Sequence, residues 1–258
     1  MELGTILDKV RNSQLDIDSA ADQIRAMGFT CASDIAKIDT HRKYRTGIPE
    51  AVLAEGKCTD DLVQIVRMQV KQVGRCLVTR VSDTQIEVLQ DVFEQGNITW
   101  FSHARAAVIH DGTPVESPGG VVGILSAGTA DIMVAEEAKV IALEMGCEVV
   151  SAYDVGVAGI HRLLPQIEML KEKKANAVVV AAGREGTLPT IVSGLIDVPV
   201  IGVPVSTGYG YGGHGEAALM SMLQSCSVLG VVNIDAGFIA GAFAAQIANI
   251  VADARQMP

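Results

Sequence analysis

The stretch Ala177-Val178-Val179-Val180-Ala181-Ala182-Gly183-Arg184-Glu185-Gly186-Thr187-Leu188-Pro189 decides how this chain folds. Its first six residues are an unbroken Val/Ala run, the pattern of a parallel strand whose sheet is covered by helices on both faces. The run stops abruptly in Gly183-Arg184-Glu185-Gly186. In open α/β sheets ligands bind just beyond the carboxyl ends of strands. The two glycines let backbone approach a ligand closely, and Arg184 and Glu185 offer it one cation and one carboxylate. An active-site loop is expected here rather than a turn carrying a solvated ion pair.

Working outward, further apolar runs of strand length lie at 121–125, 148–150, 200–205 and 229–234. Helical segments are expected between and after them, near 131–145, 158–174, 188–195, 214–224 and 237–253. Strands alternating with helices in this way predict right-handed βαβ units and a doubly wound parallel sheet, an α/β three-layer sandwich. No Gly-x-Gly-x-x-Gly follows the first strand, so NAD is not expected as a redox cofactor. The segment from Asp111 to Gly120 is turn chemistry throughout and marks a domain boundary. A smaller mixed α+β domain is expected over 1–115 and a catalytic domain over 120–258. In the former, Leu3, Ile6, Leu7 and Val10, then Ile17, Ala20, Ala21, Ile24 and Met27, fall at helical spacing, and Gly28 ends the second run. Thr59-Asp60-Asp61 opens another helix, 77–79 and 106–109 are strands, and 85–93 is a helix.

With 258 residues, 49% hydrophobic and 19% charged, the chain can bury a sizeable core. Its net charge of -10 argues against nucleic-acid binding, which needs a basic face. Cys31, Cys58, Cys76, Cys147 and Cys226 form no Cys-x-x-Cys pair and no zinc spacing, which suits reduced thiols in the cytoplasm. The first residues, Met-Glu-Leu-Gly-Thr-Ile, lack the basic start and apolar run of a signal peptide. The Ala- and Ile-rich segment 238–254 is interrupted by Gln246 and Asn249 and is short for a membrane span. Gly237 and Gly241, four apart, predict close helix contact in a core or between subunits.

Polar groups gather at the strand ends. The first strand leads into Ser126-Ala127-Gly128-Thr129-Ala130-Asp131, whose hydroxyls and helix start suit a phosphate or ribose, or simply cap the helix. The second gives Ser151, Tyr153 and Asp154, and the third the loop already quoted. The fourth opens into Ser206-Thr207-Gly208-Tyr209-Gly210-Tyr211-Gly212-Gly213-His214-Gly215-Glu216. Its glycine density and aromatic residues suggest a flexible wall around an aromatic ligand. The fifth ends in Asn233-Ile234-Asp235. Elsewhere, His41, Arg42, Lys43 and Arg45 form a cationic cluster, either an ion network or a phosphate clamp. Cys226 follows the fourth helix and is expected nearer the amino edge of the sheet, either as a small buried thiol or, in a catalytic role, with the site completed by a neighbouring subunit or by a bent helix–loop.

These motifs carry a resemblance. Ser126 to Asp131, Ser151-Ala152, Glu185-Gly186-Thr187-Leu188-Pro189 and Pro199 to Val205 resemble the corresponding loops of PurE-type aminoimidazole ribonucleotide carboxylases, whose domain is flavodoxin-like. Tyr153 and Thr187 stand where that family has histidines, which argues against its usual proton shuttle. Over nearly the whole chain the sequence is similar to the LarB family, which starts synthesis of a nickel-pincer nucleotide cofactor. The matching pieces are Asp39-Thr40-His41-Arg42, Arg45-x-Gly47-x-Pro49-Glu50, Glu55-Gly56-Lys57, Gly183 to Gly186, Gly208-Tyr209-Gly210, Gln224-Ser225-Cys226 and Val231 to Asp235. Ser227-Val228-Leu229 and Ala236 depart from the pattern.

The LarB resemblance implies carboxylation of nicotinic acid adenine dinucleotide at pyridinium C5 and hydrolysis of its phosphoanhydride. The products are pyridinium-3,5-biscarboxylic acid mononucleotide and AMP. It implies Cys226 as covalent nucleophile at C4 and Glu185 as base. Carbon dioxide or bicarbonate is the donor, since no biotin-carrier motif is present. It further implies Mg²⁺, with Asp131 or Asp154 as ligands, the His41/Arg42/Arg45 cluster on the AMP-side phosphate, and a homo-octamer that would complete the site around Cys226. The rival readings are a purine-pathway carboxylase or mutase and a non-catalytic nucleotide-binding module.

Overall fold

A computed structural model describes residues 3–26, 30–32, 36–39 and 41–256. The expected helix end at Met27 and Gly28, and Thr40 of the motif above, lie outside the described residues. The N-terminal part opens with α1 (Leu3–Arg11), α2 (Ile17–Ala26) and a short antiparallel pair, β1 (Thr30–Ala32) and β2 (Ala36–Ile38). Next come α3 (Arg42–Thr46), β3 (Ala51–Leu53), α4 (Thr59–Val73), β4 (Arg75–Thr79), α5 (Asp83–Val92), β5 (Ile98–Phe101) and β6 (Ala106–His110). Four of these strands form a mixed sheet in the order β3-β4-β6-β5, with β3 parallel to β4 and the other pairs antiparallel. The N-terminal part is thus the mixed α+β unit expected. α5 starts two residues before the expected position because Ser82 accepts the Gln85 amide in a capping box. The single turn α3 sits within the cationic stretch and stops at left-handed Gly47.

The C-terminal part alternates strictly: β7 (Val121–Ser126), α6 (Ile132–Glu144), β8 (Glu148–Ala152), α7 (Leu164–Glu172), β9 (Ala177–Ala182), α8 (Leu188–Ser193), β10 (Val200–Pro204), α9 (Glu216–Leu223), β11 (Gly230–Val231) and α10 (Gly237–Gln256). The five strands are all parallel, in the order β11-β10-β9-β7-β8. This is the doubly wound sheet read from the sequence. Every residue of β9 and β10 is buried, as interior strands covered on both faces require. The helix expected over 158–174 is broken. Gly159 leaves helical geometry after a 3-10 turn, and Pro165, lacking an N–H, starts α7 afresh.

Side chains alternate across both sheets and so define the layers. On the mixed sheet, Leu77, Ala106 and Val108 face α6 and α10, while Cys76, Val78, Ala107 and Ile109 face α4 and α5. On the parallel sheet, Val122, Ile124, Val179 and Val203 face the same α6/α10 layer, and Val178, Val180 and Leu125 face α7, α8 and α9. The two sheets therefore sandwich α6 and α10 and share one core. α10 is long and apolar enough, by length and composition, to cross a membrane. Here its small-residue face meets α6: a Cβ on Gly237 would lie 2.2 Å from the Val134 carbonyl oxygen, and one on Gly241 2.3 Å from that of Ala138. The close helix contact expected of these glycines is in the core.

Contacts at the two ends of β4 show the direction of the mixed sheet on this layer. Arg75, at the start of β4, holds the Glu144 carboxylate at the end of α6 with two bonds of 2.9 and 3.0 Å. At the other end of β4, Arg80 comes beside the first turns of α6. β4 thus runs against α6, and the mixed sheet presents the loops after β3 and β4 to the carboxyl edge of the parallel sheet.

Candidate active site

The strand order reverses between β7 and β9, so their carboxyl ends frame the crevice where such sheets bind ligands. Asp131, buried at the head of α6, organises it. Its Oδ2 accepts the Gly128 amide at 2.8 Å, and its Oδ1 accepts the Gly183 amide at 3.1 Å and the Thr207 hydroxyl at 3.3 Å. Burial raises the Asp131 pKa above the ordinary carboxylate value; the three hydrogen bonds oppose that rise and nearby Asp235 adds to it. The loops after β7, β9 and β10 are thereby pinned to one another. Arg184 lies over the Tyr209 ring, 4.4 Å from its centroid, closing the Gly183–Gly186 loop against the glycine-rich one.

The strand-end loops also hold unusual backbone. Asp154, Arg184, His214 and Asp235 all have left-handed φ, between 48° and 57°. Such conformations in non-glycine residues cost energy and cluster where a site requires them. Gly186 is left-handed as well, and a Cβ there would lie 2.6 Å from the Ala218 carbonyl oxygen, so α9 packs directly on the loop that carries Glu185.

The remaining expected residues divide into two sets. Glu185, Arg184, Thr129, Tyr209, Gly210 and His214 are exposed, and Gly128, Ser206 and Gly208 are half-buried around the same edge. Ser126 and Gly183 are buried. Ser126 Oγ accepts the Asp154 amide at 3.3 Å, and a Cβ at Gly183 would press on Asp131 and Thr207. Ser151 is half-buried. The Tyr153 hydroxyl is bound to Glu136, and burial with that neighbouring carboxylate drives its pKa far up, so it is a neutral phenol. The Asp154 carboxylate pairs with Arg162. Asp131 thus accepts three hydrogen bonds and Asp154 is held by one ion pair, so the two carboxylates expected to hold magnesium are engaged by different partners. Among the described residues no group of His, Cys, Asp and Glu is arranged to hold a metal ion.

Cys226 is exposed just after α9, and its neighbours anchor it to α8. The Thr190 hydroxyl donates to Ser225 Oγ at 2.9 Å, and Ser227 Oγ donates to the Thr190 carbonyl at 3.3 Å. Ser227, a departure from the family pattern, is part of this anchor. Glu185 and Cys226 therefore flank the same short helix. His41, Arg42 and Arg45 lie elsewhere. Arg42 pairs with Glu50 at 3.3 Å, Arg45 pairs with Asp39, and His41 and Arg45 line a groove shared with Arg75 and Glu116, at the Glu144 end of α6. That is the opposite end from the strand-end crevice.

At the crevice end, a cavity of about 440 Å³ opens between the two parts of the chain. Glu55, Gly56, Arg80 and Arg105 come from the N-terminal part, and Met133, Glu137 and Asp235 from the C-terminal part. The sequence motifs led to Glu55-Gly56 and Asp235 but not to Arg80, Arg105 or Glu137. No local pattern marks these three; what unites them is the packing of one sheet on the other's helices.

Known proteins share this architecture. Residues 121–256 match the family model described as AIR carboxylase, and 30–111 match the LarB/PurE-like N-terminal domain. The N5-carboxyaminoimidazole ribonucleotide mutase of Methanocaldococcus jannaschii is 34% identical over 131 residues, 49% of this chain and 78% of that protein. "Uncharacterized protein MJ0165" of the same organism is 39% identical over 255 residues, 96% of this chain and 98% of that protein. The C-terminal part is thus an α/β domain of the AIR carboxylase class. With the LarB/PurE-like domain ahead of it, in the order the motifs implied, the chain belongs to the LarB family.

Proposed function

We propose that the chain carboxylates pyridinium C5 of nicotinic acid adenine dinucleotide and hydrolyses the phosphoanhydride, releasing pyridinium-3,5-biscarboxylic acid mononucleotide and AMP in the cytoplasm. Pyridinium C5 is electron-poor and cannot attack carbon dioxide. Addition of the Cys226 thiolate at C4 removes the aromaticity and makes C5 an enamine-like carbon. C5 then bonds to carbon dioxide, Glu185 takes the C5 proton, and the thiolate leaves with the C4–S electrons as the aromatic cation re-forms. Water divides the phosphoanhydride to give the two monophosphates.

The observation that carries this reading is the anchoring of exposed Cys226, through Ser225 and Ser227, onto the helix that Glu185 precedes. Assembly as a homo-octamer belongs to the same proposal. Exposed Met220, Leu223 and Val228 surround the Cys226 segment, and Ile239, Phe243 and Ile250 stripe the outer face of α10, offering apolar surface for a second subunit. The resemblance to the mutase favours purine-pathway carboxylation as the second reading, against which stands Tyr153, a phenol bound to Glu136 where a titrating imidazole is needed.

The test is mass spectrometry of products formed from nicotinic acid adenine dinucleotide and labelled bicarbonate, with and without Mg²⁺, beside Cys226→Ala. A labelled dicarboxylated mononucleotide plus AMP, absent in the variant, is the expected result. AMP without label would leave only the hydrolase, and turnover of aminoimidazole ribonucleotide instead would establish the second reading.

A further inference from the structure

Neither Cys226 nor Glu185 lines the cavity between the two parts. We propose that it binds a nucleoside 5′-monophosphate, the half of the dinucleotide released on hydrolysis. The identity of that ligand rests on the reaction proposed above. The cavity's size is within the range of small-molecule sites, roughly 300–1,000 Å³.

Its lining offers what each portion of such a ligand needs. Met133 is 47% exposed and forms an apolar floor with Val134 and Ala104, against which a flat base can lie. Arg80 and Arg105 supply guanidinium groups for a phosphate. Both sit in left-handed backbone, at φ 52° and 47°, so two strained positions of the N-terminal part face one cavity. Arg105 is anchored by its Nε on the Val81 carbonyl at 3.1 Å, whereas Arg80 is paired with the exposed Glu55 carboxylate, a contact easily exchanged for a phosphate.

The carboxylates favour a nucleotide over a simple anion. Glu137 accepts the Phe238 amide at 3.2 Å, and Asp235 accepts the Ser206 amide at 2.9 Å. A carboxylate has further lone pairs, and ribose hydroxyls are suitable donors to them. An inorganic anion would instead meet Glu55, Glu137 and Asp235 as like charges. The wall is rigid: buried Gln85 donates to the Ala54 and Lys57 carbonyls at 3.1 Å and fixes the Glu55–Gly56 turn.

Asp235 joins the cavity to the crevice. The carboxylate that lines the cavity also holds the amide of Ser206, the first residue of the glycine-rich loop. One dinucleotide could therefore lie with its pyridinium in the crevice and its other half in the cavity. The Arg42/Arg45 groove, at the opposite end of α6, offers no such continuity.

AMP titrated calorimetrically into the full-length protein tests the assignment. Wild type is expected to bind it, and Arg105→Ala and Met133→Trp each to weaken binding at least about tenfold, the scale of one charge-assisted contact. Arg45→Ala should bind as wild type does. Unchanged melting temperatures of the unliganded variants establish folding, and Arg105→Lys should recover part of the loss. Absence of binding to wild type at millimolar AMP, or undiminished binding to folded Met133→Trp, would overturn the site. The reaction is separable: AMP bound in the cavity with no turnover of the dinucleotide sinks the reaction alone. Labelled product formed with an unchanged KM in Met133→Trp sinks the cavity alone.

Discussion

The Asp131 carboxylate accepts the Gly183 amide at 3.1 Å, tying the loop that leaves the first strand of the parallel sheet to the loop that leaves the third. Gly128 and Thr207 donate to the same carboxylate, so three strand-end loops converge on one buried acceptor. Asp131→Ala leaves the Gly128 and Gly183 amides without their partner, at a cost of about 1–3 kcal/mol for each one that stays buried. Urea unfolding should show that loss, and carboxylation should fall even where the variant is fully folded, because the Glu185 loop is released. Asp131→Asn should recover part of the stability, since its carbonyl can still accept Gly183 while its amide faces the Gly128 N–H. Wild-type stability in Asp131→Ala would mean that the tie does not hold the loops.

Gly186 and Gly210 are both left-handed, at φ +62° and +88°, but only Gly186 is hemmed in. A methyl group there would approach Ala218 backbone at 2.6 Å, while at Gly210 nothing lies within 4 Å. Gly210→Ala should therefore cost about 1–2 kcal/mol, from backbone conformation alone. Gly186→Ala adds overpacking of about 1–3 kcal/mol and pushes α9 from the Glu185 loop. Thermal melts of the two variants provide the comparison. Equal losses would show that Ala218 yields without cost.

How much of this was legible in the sequence follows from the range over which each signal acts. The Val/Ala run at 177–182 announced a buried parallel strand because every position is covered, and the alternation around it carried the fold class. The short strands β3 and β5 gave no comparable signal: with three or four residues, their existence depends on pairing with β4 and β6. At the site, glycines and hydroxyls after the strands marked the crevice. The ion pairs of Arg42 with Glu50 and Arg45 with Asp39, by contrast, arise from tertiary approach, and spacing alone left a cationic cluster open to a phosphate role. Arg80 and Arg105 were invisible for the same reason.

Glu137 gives a pH dependence whose sign is fixed by its surroundings. Burial raises its pKa above 4.5; the Phe238 amide and Arg80 oppose the rise, and Asp235 adds to it. A carboxyl group that binds its proton more tightly in the folded than in the unfolded chain favours folding at low pH. That contribution is lost as pH rises from the unfolded value through the raised one. Glu137→Gln keeps an acceptor for Phe238 and has nothing to ionise. Its stability should fall less steeply than wild type as pH increases above 4.5, an effect read from melting temperatures across pH 4 to 8. A steeper fall in the variant would reverse the sign.

Cys58, Cys76, Cys147 and Cys226 separate into two classes that alkylation can resolve. Cys76, on β4, is buried against α4 and α5, and burial, with Glu50 and Glu144 nearby, drives its pKa far up. Burial raises Cys147 to about 11, so its thiolate fraction at pH 8 is on the order of a thousandth. Cys58 and Cys226 are exposed. Iodoacetamide at pH 8, followed by peptide mapping, should label Cys58 and Cys226 in the folded protein and reach Cys76 and Cys147 only after unfolding. Nicotinic acid adenine dinucleotide added first should protect Cys226 and leave Cys58 labelling unchanged, because in the proposed reaction only Cys226 meets the pyridinium ring. Equal labelling of Cys226 with and without saturating dinucleotide would remove it from the reaction, whatever the fate of the carboxyl label.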